Sequence, residues 1–214
     1  KTILQEFTLK PAVFKAGRWQ FVKPMSGGTP HKFPHPVGVQ HPMYTLHSEV
    51  ATLPITYRSK GVQEVVFKIA FGDDLVEKVK FLRDLGMASE ELIEVHGAKV
   101  APIDVVNKVA MSQPPSDPAG PVKQYQVIRV IVKGTQEKKK VTGIVDCHVI
   151  GMPKWYMGLD GDTGSPPSIV AQMLAKNLIK ERGTLPPEIA VSPDLYFKEL
   201  EKRNMFVKTH QKSG

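Results

Sequence analysis

His47, Ser48 and Glu49 stand together in the segment YTLHSEVATLP, Tyr44 to Pro54, and put an imidazole, a hydroxyl and a carboxylate side by side. An imidazole changes its charge near neutral pH, so His47 suits the transfer of a proton to or from a bound substrate. After the apolar Tyr44 and Leu46, the same histidine also fits a hydrogen-bonded wall residue. Glu49 has two readings as well. It can orient His47, or it can lie in the first turn of a short helix running to Leu53 with Ser48 as its cap, and the cap is the favoured reading. Thr52 either faces the same cleft or packs as a β-branched side chain. Arg58 and Lys60 follow and can clamp a carboxylate, with exposed loop charge as the default.

A second dense pattern, DTGSPPSIVAQMLAKNLI, covers Asp162 to Ile179. Thr163 and Gly164 stand before a helix expected to begin at Pro166, where backbone amides and a hydroxyl at a positive helix end can hold an anion or a carboxamide. An N-cap by Ser165 alone is the competing account. Trp155 and Tyr156 precede this segment and either line a cleft or pack a sheet. His31, His35, His41 and His148 follow no zinc spacing, so no metal is expected. The single cysteine, Cys147, sits in a strand-like run and reads as a buried, inert thiol. There is no nucleophile elbow or triad signature. Gly158, Gly161 and Gly164 lack the spacing and context of a dinucleotide-binding loop.

The elements that must position these residues follow from periodicity and punctuation. With 214 residues, 41% hydrophobic and 23% charged, the chain has ordinary globular composition. A helix is expected over Thr2–Leu9, and Gly17–Pro24 gives a short strand with Trp19 and Phe21 on one face. Residues 25–42, rich in Pro, Gly and His, form an irregular stretch. The alternation of Val65, Phe67, Ile69 and Phe71 predicts one strand over 62–71. A helix opens at Asp73 and Asp74, presents Leu75, Val79, Leu82 and Leu85, and ends at Gly86. Another runs from Pro102 through Val105, Val106 and Val109, stopping before the linker-like QPPSDPAGP, 113–121. Strand-like runs at 124–134 and 140–150 form a hairpin, with the basic cluster Lys138–Lys140 at its turn.

In the last third, Ile169, Val170, Met173, Leu174 and Leu178 trace a helix, and a further helix from Pro193 to Arg203 precedes a short strand, 205–209. These apolar stripes have few strands of their own to cover, so they are expected to pack on a partner domain. Strands, helices and a hairpin without βαβ alternation indicate an α+β fold with a mixed sheet. The net charge of +8 is scattered rather than clustered, which argues against nucleic acid and suits a substrate carrying several carboxylates. No run reaches the roughly 18 apolar residues of a membrane span, and the chain reads as cytoplasmic. It opens on Lys1 rather than Met, which suggests a piece of a longer protein.

Several segments together carry a resemblance: KPAVFKAGRWQFVKP, FPHPVG, YTLHSEVATLP, VVFKIAF, FLRDLGMAS, DTGSPPSIVAQMLAKNLI and GTLPPEIAVSPDLYFKELEKRNM. In that order the chain is similar to the C-terminal, substrate-binding part of the saccharopine dehydrogenase-like oxidoreductases, which include saccharopine reductase and carboxynorspermidine dehydrogenase relatives. The resemblance implies a largely antiparallel sheet covered by helices, like the C-terminal domain of glyceraldehyde-3-phosphate dehydrogenase. It implies a substrate-binding and dimerisation domain over 1–157 and a C-terminal helical segment, 158–214, that returns to a dinucleotide-binding Rossmann domain preceding Lys1. NAD or NADP would be bound mainly by that domain, leaving this chain inactive alone. The substrate would be an amine-linked amino acid oxidised at its CH–NH group, with His47 catalytic, Ser48, Glu49, Thr52 and Arg58 binding substrate, and Thr163 and Gly164 facing the cofactor. A homodimer is implied, with no nucleic acid, membrane or metal partner. The alternatives are a non-catalytic interaction module of the same fold and a polyamine enzyme of the carboxynorspermidine type.

Overall fold

A computed structural model describes residues 2–114, 124–152, 158–159 and 161–213. The chain divides into two compact units, Lys1–Lys32 with Val39–Ser116, and Phe33–Gly38 with Asp117–Gly214. The division therefore falls near residue 116, and the hairpin strands share a unit with the C-terminal helices.

The first unit runs α1 (Thr2–Glu6), β1 (Ala12–Lys15), β2 (Arg18–Phe21), β3 (His31–Lys32), β4 (Val39–Gln40), β5 (Met43–Tyr44) and α2 (Glu49–Thr56). A 3-10 turn at Arg58–Lys60 leads to β6 (Glu64–Val65), β7 (Lys68–Ile69), α3 (Asp73–Asp84), β8 (Ile93–Val95), β9 (Ala98–Val100) and α4 (Pro102–Ser112). Strands β2, β1 and β6 form one small sheet, while β3–β4, β5–β7 and β8–β9 are separate pairs. The core joins α1, α3 and α4 through Leu4, Phe7, Val76, Val79 and Ile103, and the Phe7 and Phe71 rings meet at 5.5 Å between centroids.

Three expectations for this unit change. The strand expected over 62–71 is two strands, because Val65 pairs with Phe14 of β1 while Ile69 pairs with Met43 of β5. The chain changes partner at 66–67, which one continuous ladder cannot do. On α3 the buried stripe is Val76, Val79 and the partly buried Leu82, whereas Leu75 and Leu85 are exposed. On α4 Pro102 and Ile103 are buried and Val105 and Val109 exposed. In both helices the core lies to one side of the face that apolarity alone selects. The β8–β9 hairpin turns at His96 and Gly97, both with positive φ, in a segment that lacks the Asn-Gly or Asp-Gly pair by which such turns are read from sequence.

The second unit contains β10 (Gln126–Gln136), β11 (Lys139–Val149), α5 (Gly161–Ala175), α6 (Pro187–Ala190), α7 (Pro193–Glu201) and β12 (Met205–Ser213). The hairpin forms as expected, but its turn is Glu137 and Lys138, with Lys139 and Lys140 already paired in β11 rather than in the turn, and β12 adds antiparallel to β11. Helices α5 and α7 cover this sheet through Ile169, Met173 and Leu200 packed with Val149, Met205 and Ile179. The stripes thus have strands of their own to cover, contrary to expectation, because the short terminal strand extends to 213 and completes the sheet. The fold is α+β, and every strand pairing among the described residues is antiparallel. No helix among the described residues is long and apolar enough to cross a membrane.

Candidate functional site

The partner change at 66–67 builds the site in the first unit. Pairing of β5 with β7 sets Tyr44 opposite Lys68, and the Thr45 N–H reaches the Phe67 carbonyl at 3.5 Å. The chain then leaves β5 and enters α2 at Glu49, which leaves His47 in the short connection between them. Its ring lies flat on Phe67, with centroids 3.8 Å apart and planes 10° from parallel. Glu49 Oε2 meets His47 Nδ1. A carboxylate only accepts, so Nδ1 carries a proton, and Nε2 is the ring nitrogen left facing away from Glu49.

Glu49 lies in the first turn of α2 and bonds His47 from there. Ser48 occupies the N-cap position but has right-handed helical dihedrals and makes no cap hydrogen bond; its hydroxyl turns instead to Glu49 Oε2 at 3.4 Å. The favoured capping reading of Ser48 is not what forms. Thr52 is half-buried on α2, two positions from each of the buried Val50 and Pro54 and therefore on a different side of the helix. The Trp19 indole N–H donates to the Val50 carbonyl at 2.9 Å and ties α2 to β2. Arg58 is exposed on the 3-10 turn, and Lys60 lies 5.1 Å over the Tyr57 ring.

Two residues join this constellation without a sequence signal. Glu6, at the end of α1, is half-buried; burial pushes its carboxyl above the usual range, and His47 in its protonated form pulls it partly back. Forty-one positions separate the two in the chain, and only the packing of α1 relates them. Thr45 is 4% exposed, and its hydroxyl has no hydrogen-bond partner among the described residues.

Thr163 and Gly164 belong to the second unit. They lie in the first turn of α5, both exposed, because the helix begins at Gly161 and not at Pro166. Pro166 and Pro167 are inside it, and their missing N–H groups leave the carbonyls of Asp162 and Thr163 without helical donors. Ser165 is buried within the helix and caps nothing. This helix start does not fit a dinucleotide phosphate. The Leu159 amide is taken by Gln124 Oε1 at 2.9 Å, a side chain that also packs against Gly158, and the Asp162 carboxylate, bonded by Gln126 and Thr163, puts negative charge in the first turn. Trp155 and Tyr156 lie outside the described residues.

The same unit holds a buried ion pair. Arg129 grips Asp146 with two hydrogen bonds of 2.6 and 2.7 Å directly across β10 and β11, and the Phe33 ring lies 5.5 Å from the guanidinium. The Arg129 guanidinium holds the Asp146 carboxyl below the usual carboxylate range. Burial pushes His148 down, with Lys208 adding to this, and its Nδ1 meets the Tyr125 hydroxyl at 2.7 Å. Cys147 is pushed up to about 11 by burial, and by Asp162 in lesser part, as expected of an inert thiol.

The family model of the saccharopine dehydrogenase C-terminal domain matches residues 2–205. The chain belongs to this family. The family suggests an oxidoreductase at full length and is typically nucleotide-dependent. The match takes in the His47 constellation and the β10–β11 hairpin and ends at residue 205, where β12 begins.

Proposed function

We propose that this domain forms the substrate-binding and dimerisation part of an NAD- or NADP-dependent oxidoreductase acting on the CH–NH group of an amine-linked amino acid. The observation that carries the reading is the His47–Glu49 pair held flat on Phe67. Interconversion of a secondary amine and an imine moves a proton on or off nitrogen, and His47 Nε2 is the group that takes or returns it. Glu49 fixes the ring and its tautomer, and Phe67 fixes its plane, so the base is preorganised. Ser48 and Thr52 line the same connection and first turn. Thr163 and Gly164 meet the non-phosphate part of the cofactor, and the dinucleotide is held by a Rossmann domain elsewhere in the full-length protein.

The test follows NADH and NADPH absorbance in the full-length enzyme with saccharopine and then carboxynorspermidine, beside a His47→Ala variant. Loss of about 10²–10⁴-fold in kcat in the variant, with the cofactor still bound, supports the role of His47. Turnover of one compound and not the other identifies the substrate. Undiminished kcat in His47→Ala refutes the assignment, and no turnover of either compound by a protein that binds cofactor directs the search to another amine or to a non-catalytic module.

A further inference from the structure

A substrate with several carboxylates needs some of the chain's positive charge to be organised. Arg58 and Lys60 are exposed on a turn, with Lys60 laid against Tyr57 and no hydrogen bond or ion pair among the described residues holding the Arg58 side chain in place. Organised positive charge in the first unit gathers instead at Tyr44. The Lys15 ammonium donates to the Tyr44 hydroxyl at 3.1 Å, and the Lys68 ammonium lies 4.4 Å from the centre of the same ring while donating to the Gly27 carbonyl at 2.9 Å.

Backbone geometry fixes this arrangement. The β5–β7 register puts Lys68 opposite Tyr44, and Lys15 ends β1 opposite Glu64 of β6. Gly27 has φ of 82°, and a Cβ there would come within 2.5 Å of Tyr44 Cε2, so the ring rests directly on the chain. The two ammonium groups converge on one phenol, and Glu64, 3.6 Å from Lys15 and mostly exposed, is the carboxylate paired with them among the described residues. Each ammonium has three N–H donors and commits one to the hydrogen bonds just named. The Lys15 ammonium is held charged beyond the ordinary lysine range, first by Tyr44 and in smaller part by Glu64. Two fixed cations with donors to spare are the complement of an anion.

Tyr44 and His47 are three positions apart, no more than about 11 Å along an extended chain. We propose that Lys15, Tyr44 and Lys68 form a carboxylate subsite, which holds one carboxylate of a substrate whose amine nitrogen reaches His47. The inference rests on the function proposed above and names where that substrate is gripped.

The test uses the full-length enzyme with glutarate as the probe, its binding followed by calorimetry, and turnover assayed in parallel. Lys15→Met and Lys68→Met should each bind glutarate about tenfold or more weakly, the loss of one charge-assisted contact, while Lys15→Arg and Lys68→Arg retain binding. Thermal midpoints of all four variants separate lost charge from lost fold. Equal glutarate binding by the parent and both Met variants overturns the subsite, as does loss of binding in the Arg variants at unchanged midpoints. Parent turnover that persists in either case leaves the proposed function standing. Charge-dependent glutarate binding in a protein that oxidises no amine supports the subsite and sinks the proposed activity.

Discussion

At the scale of single residues, the His47 site is defined by who its neighbours are. Glu6 illustrates the cost. Its carboxyl is held above the usual range by burial, so ionising it is harder in the folded chain than in the unfolded one. The unfolded state then loses its proton first as pH rises, and stability falls between the ordinary glutamate value and the raised one. Glu6→Gln should therefore raise the thermal midpoint at pH 7 and change it little at pH 4, with melts at both values as the check. If Glu6 serves His47, the same variant loses turnover while gaining stability, the exchange typical of a strained site. Cys147 offers a second readout. With a thiol at about 11, alkylation of the native protein at pH 8 should run on the order of 10²-fold slower than that of a free cysteine, and unfolding in urea should restore the ordinary rate. Rapid native labelling would show the thiol to be exposed and ionised.

At the scale of elements, β10 and β11 are joined by more than their ladder. Asp146 is 1% and Arg129 15% exposed, so removing one partner leaves a buried charge uncompensated. Arg129→Met should cost about 3–5 kcal/mol in urea unfolding at pH 7, whereas Arg129→Met combined with Asp146→Leu should recover most of the loss. The depressed Asp146 carboxyl sets the pH dependence. Its contribution is fully present above the ordinary aspartate range and fades as pH falls through the lowered native value, so the gap between wild type and Arg129→Met should narrow in acid. A gap that is constant with pH would assign the loss to packing against Phe33. Part of this element was legible beforehand: the two apolar runs specify a hairpin, whereas its register follows from the two-residue turn at Glu137 and Lys138. The third strand was only half legible. Polar residues after Thr209 give no strand signal, and they pair because β11 offers a free edge.

At the scale of the whole molecule, the proposed dimer has a candidate surface. Ile128, Val130 and Val132 share one face of β10 and are 41%, 51% and 62% exposed, beyond the part of the sheet that α5 and α7 cover. Sedimentation of the full-length protein should show dimers that Val130→Glu converts to monomers, and a monomer at all concentrations in the parent would remove the proposal. The sequence by itself determined the α+β class, the principal helices, the hairpin, the family and the His47-Ser48-Glu49 cluster, because periodicity, turn residues and contiguous motifs are local properties of the chain. Tertiary structure alone decided the split of 62–71 between two partner strands, the true start of α5, the approach of Glu6 to His47 and the convergence of Lys15 and Lys68 on Tyr44. Each of these depends on which distant segment is available to pair or pack, and no local pattern encodes that choice.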